Sequence, residues 1–459
     1  MIGLIKDGLK RALPVPVWER FRARGWRYVR PLTVDYCPVT LPWFPGAQRD
    51  DGIGRLHRLA TSFHWRDTWS ATTAVAVSIA ALRWPFMFLW DAATAFRKYG
   101  GGVRALHGVG RVRQALDIVR LGVGSNVPAL YYYRFRLFQP ANARRASAYI
   151  HAEEMNVLYP TLAVELPSDQ PVRHKEAFFD AGRKAGLPVV PAIAAFADGR
   201  VLEWYASDRQ LPSVDLVLKP VDMACGRGFQ RWAYDKGRRT WQRGDQRLTA
   251  EEFLAHCGRA SIDHRHILQA RLANHRALAD LSGDGLSTIR VVTFRRPAGE
   301  SGTLLACLRM PTGALLVDNF EAGGISAPID LATGTLGAAV AKDPRRGTFT
   351  RHPDSDAPIE GRQVPYFAEA LNAALKAHAV FPWLPFVGWD VVIADDGPLL
   401  LEGNPDWCVE LAQIVMDTPL GETLYPAIYL EHLAAQRQAR PEEIDAACHK
   451  AVHYRAPGR

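Results

Sequence analysis

The sequence predicts an α+β protein preceded by a mostly helical N-terminal region, and three observations carry that prediction. From about residue 148 onward, short apolar strand-like runs alternate with helical stretches. Residues 1–150 have a different texture, with long apolar or amphipathic stretches and few strand signals. Charge divides at the same place: residues 1–150 hold 23 Lys and Arg against 8 Asp and Glu, while the rest of the chain holds 33 against 39.

The chain has 459 residues, room for two or three domains at roughly 100–200 residues each. With 48% apolar and 22% charged residues it falls among globular proteins, and no fixed-period repeat or low-complexity tract redirects that class. Cys37, Cys225, Cys257, Cys307, Cys408 and Cys448 are scattered with no Cys-x-x-Cys pair, and the N-terminus lacks a signal-peptide core. Reduced thiols and a cytoplasmic setting are expected.

In the basic third, residues 2–29 read in part as a basic amphipathic helix interrupted by Pro14 and Pro16, and residues 31–55 as loop. The run 69–96 is the most apolar in the chain. Arg83 and Pro85 lie near the middle of its apolar part, residues 71–90. A central Arg costs about 2.5–3.5 kcal/mol in a membrane span. The expected form is a buried helix pair broken at Pro85, with a membrane-surface element or a span as the alternatives. The +15 of the basic third suggests peripheral contact of residues 1–150 with anionic membrane, at its cytoplasmic face.

In the body, strands are expected at 162–166, 187–196, 216–220, 266–272, 288–294, 303–310, 387–395 and 397–404, with helices at 173–186 and 364–379 and a polar helix after about 430. The last two strands flank the turn Asp395-Asp396-Gly397, a hairpin signal. Asp390 then begins one strand and Glu402 ends the other, so the two carboxylates meet. Asn404 shares a face with Glu402. Two hard anionic oxygens and an amide oxygen suit Mg²⁺ held against phosphates. Upstream, Lys219 closes the apolar strand LVLKP, where an ammonium is costly without an anion. A loop with Gly226, Arg227 and Gly228 follows, and its glycines allow backbone N–H groups to curl around phosphate oxygens. The lysine precedes the glycines, so this is no Walker P-loop. His264, His266 and His275 read as strand and loop residues rather than zinc ligands, and Tyr131, Tyr132 and Tyr133 as a packed aromatic segment.

The strand lysine and glycine loop, followed roughly 170 residues later by Asp…Glu-x-Asn on a hairpin, resembles the ATP-grasp ligases. HKEAFFDAGRKAGLPVVP (174–191) is similar to their pre-loop stretch, with His174 where an Asp usually stands. STIRVVTF…LLACLRM…VDNFEAGGIS (287–326) resembles the ribosomal-protein glutamate ligases, with Asn319, Gly323 and Gly324 on their N-x-x-x-GG turn. The D-alanine–D-alanine ligases place an Arg two residues before the metal Asp, where Gly388 stands here. VDN…GGI…ID with GWD…DGPLLLEGN looks like the sugar-transfer-associated ATP-grasp group, which is linked with bacterial surface polysaccharide.

The resemblance implies an ATP-grasp fold, two α+β lobes gripping ATP: a helical region at 1–147, a pre-grasp segment at 148–215, an N-lobe at 216–280, a C-lobe at 281–430 and a tail at 431–459. It implies ATP phosphates on Lys175, Lys219, Gly226, Arg227 and Gly228, and adenine beside Gln269 and Leu272. Mg²⁺ would lie on Asp390, Glu402 and Asn404. Arg290 and Arg309 would act as catalytic groups, one of them replacing the arginine missing at 388. It implies coupling of a small or sugar-linked carboxylate to an amine. A phosphotransferase on the same fold and a non-catalytic membrane-associated scaffold are the rival readings. No specific nucleic acid is expected.

Overall fold

The computed structural model describes residues 49–65, 71–162, 172, 174–221, 228–313, 315 and 318–439. The chain forms two units: Met1–Val164 with Asp417–Arg455, and Glu165–Met416 with Ala456–Arg459.

The first unit is helical throughout its described residues: α1 (Gly52–Trp65), α2 (Ala71–His107), α3 (Arg111–Ser125), α4 (Ala129–Arg134), α5 (Pro140–Arg144), α6 (Ala152–Leu162) and a closing helix, Tyr425–Ala439. The apolar run around Pro85 is not a broken helix pair; it lies within the single 37-residue helix α2. Proline removes one helical hydrogen bond, but the side chains flanking it are anchored. Trp84 stacks on Phe88 with ring centroids 5.0 Å apart, and its indole donates to Asn126 at the end of α3. Phe88 is buried where α3 presents Gly122, and a Cβ there would lie 2.1 Å from the ring. Among the described residues no helix is long and apolar enough to cross a membrane. Tyr131, Tyr132 and Tyr133 are buried in α4 and pack against Phe135, Phe138 and Tyr99.

Leu162 is the last residue of α6, so the strand expected at 162–166 does not begin there; 163–166 lie outside the described residues. The closing helix docks on α6 through Tyr429 Oη, which donates to Leu158 O at 3.0 Å.

A buried ion cluster ties α1 to α6. His57 Nδ1 lies 2.5 Å from Glu154 Oε1, and His151 Nδ1 lies 3.1 Å from Glu154 Oε2. Burial opposes charge on both His57 and Glu154, but their mutual attraction outweighs it. His57 is held above the usual histidine range and Glu154 below the usual carboxylate range. The raised histidine stabilises fully below its unfolded pKa near 6.5 and loses that contribution as pH rises through its folded value. The depressed carboxylate stabilises above about 4.5 and loses its contribution as pH falls. Glu154→Gln is therefore expected to cost about 3 kcal/mol near pH 5.5 and less on either side; urea midpoints measured against pH check this.

The second unit holds two seven-stranded antiparallel sheets. After α7 (Lys175–Lys184) come β1 (Ala192–Ala197), β2 (Arg200–Trp204), β3 (Leu216–Pro220), β4 (Gln230–Asp235), β5 (Thr240–Arg243), β6 (Gln246–Leu248), α8 (Ala250–Ala260) and β7 (His266–Ala270). Their order is β2-β1-β7-β3-β4-β5-β6. Trp232, Trp241, Leu216, Leu218 and Leu268 form this sheet's core with Phe253 and Cys257 of α8. A Thr249/Glu252 capping box starts α8.

The second sheet contains β8 (Thr288–Arg295), β9 (Ser301–Met310), β10 (Ile325–Pro328), β11 (Ala339–Ala341), β12 (Thr348–Phe349), β13 (Phe386–Ala394) and β14 (Gly397–Asn404), in the order β12-β11-β10-β9-β8-β13-β14. α9 (Phe367–Val380) covers one face and α10 (Val409–Met416) follows β14. β8 and β13 are central and almost wholly buried, which is why both read as continuous apolar runs. The run 187–196 is strand only from Ala192. Before it, Pro188 and Val190 hydrogen-bond Leu400 of β14, tying the approach to the first sheet onto the second. Cys257, Cys307 and Cys408 are free thiols; Cys37, Cys225 and Cys448 lie outside the described residues.

Candidate active site

The hairpin forms as the turn residues demand. β13 and β14 are joined across Asp395-Asp396, and Gly397 has φ +125°, a conformation that favours glycine. Asp390 pairs directly with Glu402, and Gly388 with Asn404. Asp390 sits mid-strand rather than at its start, because β13 begins at Phe386. Asn404 Nδ2 reaches Glu402 Oε1 at 3.4 Å.

Asp390 is buried, and each of its oxygens accepts a guanidinium N–H: Oδ1 from Arg290 Nε at 2.6 Å, Oδ2 from Arg309 Nη2 at 2.8 Å. Register explains this. Arg290 on β8 lies opposite Asp390, and Arg309 on β9 lies opposite Thr288, two residues earlier on the same face. Burial raises the Asp390 carboxyl, but the two arginines overcome it and hold it below the usual range. An ionised carboxylate has about four lone-pair sites, so each oxygen retains one. With Glu402 and Asn404 beside it, the donor set fits a hard divalent cation.

Gly388 takes its meaning from the same geometry. A Cβ there would lie 2.7 Å from Trp407 Cβ and 3.0 Å from Arg290 Cδ. The glycine leaves the room through which Arg290 reaches Asp390 from the neighbouring strand. Arg290 and Arg309 are both engaged on Asp390, so in this structure their direct role is to hold that carboxylate.

Thr288 and Asp318 complete the cluster. Arg309 Nη2 donates to Thr288 Oγ1 at 2.6 Å, Thr288 donates to Asp318 Oδ2, and Arg309 Nε lies 3.4 Å from Asp318. Burial lifts the Asp318 carboxyl above its usual range although Arg309 opposes it. Asp318 lies inside the VDN motif, and its proximity to a second acid is what singles it out. Asn319 next to it caps the turn at Phe320–Ala322 by accepting from Glu321 and Ala322 N–H groups. Gly323 has φ +113°, and Gly324 brings its backbone against Asn319 O and Met310 O.

The lysines face this hairpin across a cleft. Lys219, at the end of β3, has its pKa lowered by burial to about 8; Glu402 acts against that shift and Lys175 adds to it. Lys219 is therefore within electrostatic reach of both Glu402 and Lys175. Lys175 opens α7, whose N-cap is His174: Nδ1 accepts from Ala177 N at 3.4 Å. The histidine thus makes the acceptor contact an Asp would make. A small recess joins Lys175 and Lys219 with Phe178, Gln269 and Leu400.

Beyond Lys219 the cleft opens toward solvent. Val217, Phe229, Leu272, Leu286 and Leu401 give it apolar walls, and Gln269 and Asp284 line it as well. Gln269 donates to Val190 O at 3.1 Å, so its side chain braces the wall. Asp284 is exposed at the rim, on a loop that Arg231 and Arg271 hold through its carbonyl. No periodic signal marks such a loop. Gly228 has φ +72°, and Gly226 and Arg227 lie outside the described residues.

His266 Nδ1 is bonded to His264 O, while His275 packs on Tyr366; among the described residues no group of three His, Cys, Asp or Glu could hold a metal.

Two antiparallel sheets around a lysine-lined cleft, with a carboxylate hairpin on the second, define an ATP-grasp fold. The profile of the sugar-transfer associated ATP-grasp family matches residues 170–425, more than half of the chain, and the chain belongs to that family. No curated protein matches by sequence. Among solved structures it is similar to an ADP complex of N5-carboxyaminoimidazole ribonucleotide synthetase (13% identity, 51% of this chain and 45% of that one, TM-score 0.28). It is also similar to an L-amino acid ligase from Bacillus licheniformis (13%, 51% and 41%, TM-score 0.29). A third is a D-alanine–D-alanine ligase from Bacillus anthracis complexed with ATP (12%, 59% and 69%, TM-score 0.35). The chain spans less than half the length of the first two.

Proposed function

We propose that the protein is a Mg²⁺-dependent ATP-grasp ligase that couples a carboxylate to an amine in surface-polysaccharide or sugar-conjugate biosynthesis. The observation that carries this is that Lys219, in the wall of the cleft, interacts with both Lys175 and Glu402, and that Glu402 pairs with Asp390 on the hairpin. The cleft suits a purine, with Gln269 and Leu272 in its wall, and Asp284 at its rim offers a carboxylate for ribose hydroxyls. The lysines suit the phosphates, and the resemblance assigns Gly226, Arg227 and Gly228 to the same role.

Asp390, Glu402 and Asn404 would hold Mg²⁺, which supplies charge neutralisation beside the phosphates. Arg290 and Arg309 keep Asp390 ionised. With nucleotide bound, either could also meet charge developing on the γ-phosphate. A substrate carboxylate oxygen attacks the γ-phosphorus, the bond to the β-phosphate oxygen breaks, and ADP leaves. An amine then attacks the acyl carbon, loses a proton and expels inorganic phosphate, leaving an amide.

The test is ADP release from the purified protein against paired amino acids and uronic acids. Release that requires both a carboxylate and an amine, with an amide product, is expected. ADP release with a stable phosphorylated sugar and no amine requirement would replace the ligase by a phosphotransferase. No nucleotide binding at all would leave the scaffold reading.

A further inference from the structure

Among the described residues, the first unit presents an apolar surface with no partner. α2 and α3 pack on each other at Phe88 and Gly122, and Gln114 of α3 donates to Gly100 O of α2. Away from those contacts both helices are apolar where water should favour charge. On α2, Leu82, Phe86, Leu89 and Trp90 recur at i, i+4, i+7 and i+8, and each is 60–76% exposed. On α3, Val112, Leu116, Val119 and Val123 recur at i, i+4, i+7 and i+11, and each is 47–76% exposed. Those spacings place each set on one side of its helix. Eight large side chains left in water on adjoining helices mark an interaction surface rather than scattered exposure.

Charge identifies the occupant. Ala71–Ser125 holds seven Lys or Arg and two Asp. Arg97 and Arg104 follow Trp90 at seven-residue steps, on roughly the side that carries the apolar stripe. Arg113 and Arg120 flank the stripe of α3, where Asp117 lies 3.6 and 3.9 Å from them and offsets only one charge. Asp91 is spent on the backbone N–H of Ala129. A second copy docking here would set like charges against each other, which symmetric association disfavours.

We propose that the outer faces of α2 and α3 form a monotopic docking surface for an anionic lipid bilayer, lying in the interface without crossing it. Leu82, Phe86, Leu89 and the α3 stripe enter the acyl boundary, Trp90 sits at headgroup depth, and the arginines meet lipid phosphates. The surface places the enzyme where lipid-linked substrates reside, but its existence does not depend on the ligase reading.

Flotation of the full chain with phosphatidylcholine vesicles, with and without phosphatidylglycerol, tests it. Binding to the anionic vesicles is expected to exceed binding to neutral ones by about tenfold or more, and to weaken with salt. The double variant Phe86→Glu/Leu116→Glu should lose that binding while ATP still binds, which reports an intact fold. Arg113→Gln/Arg120→Gln should lose the preference for anionic vesicles. Unchanged flotation of the Glu variant, or no flotation of the parent chain at low salt, would overturn the proposal. So would a Glu variant whose only change is loss of self-association in sedimentation velocity, since the face would then belong to a second copy.

Discussion

Glu402→Gln is expected to lower ATP-dependent activity roughly 10²-fold or more, whereas Asp396→Asn leaves it within about twofold. Both substitutions remove one carboxylate charge from the same hairpin, so the comparison isolates position. Glu402 lies directly across from Asp390 and beside Asn404, and it is electrostatically coupled to Lys219. Asp396 is exposed in the turn and touches none of them. Raising Mg²⁺ should partly restore Asp390→Asn, because weaker ligation can be offset by mass action. Steady-state ADP production with a Mg²⁺ titration provides the measurement. Equal activity in the two carboxylate variants would remove the hairpin from the site.

Lys219→Met should abolish ATP turnover, by about 10²–10³-fold, and yet make the nucleotide-free protein more resistant to urea below pH 8. The sign follows from the lowered pKa of about 8. A lysine is charged below its pKa, so between pH 8 and the ordinary lysine range the folded protein binds fewer protons than the unfolded chain. Stability rises across that window, and the cost of the buried ammonium is complete below it. Removing the ammonium should then return on the order of 1–2 kcal/mol at pH 7. ATP reverses the balance: its phosphates favour the charged lysine, so binding takes up a proton and weakens as pH rises above 8. Calorimetry in buffers of different ionisation enthalpy detects that uptake. A Lys219→Met protein that turns over ATP at the parent rate would refute the assignment. A variant destabilised at pH 7 would refute the buried-ammonium account alone.

Much of the site is legible in the chain because its parts are local. LVLKP and GWDVVIADDGPLLLEGN each encode their own geometry: strand alternation, a two-residue turn and a glycine with positive φ. The lysine at the end of one strand and the carboxylates of one hairpin follow from counting residues. Asp284 is different, because its loop has no period or motif and joins the cleft only through the packing of Arg231 and Arg271. Asp318 reads as an ordinary turn acid until Thr288 and Arg309 are folded beside it.

The sequence by itself determined the α+β class, the central strands, the lysine and hairpin positions and the family. All of these rest on periodicity, turn chemistry and motif spacing that short segments carry alone. Only the tertiary structure decided that Arg290 and Arg309 both grip Asp390, that Gly388 is a glycine to admit Arg290, and that Lys219 is shifted by burial. It also decided that the helix around Pro85 runs unbroken and shows its apolar side to solvent. These properties depend on what stands opposite a residue across a sheet or a helix contact. Strand partners a hundred residues apart, such as Arg290 and Asp390, leave no trace in the local pattern. A proline's effect on a helix is set by the side chains that hold its flanks, here Trp84 and Phe88 on α3.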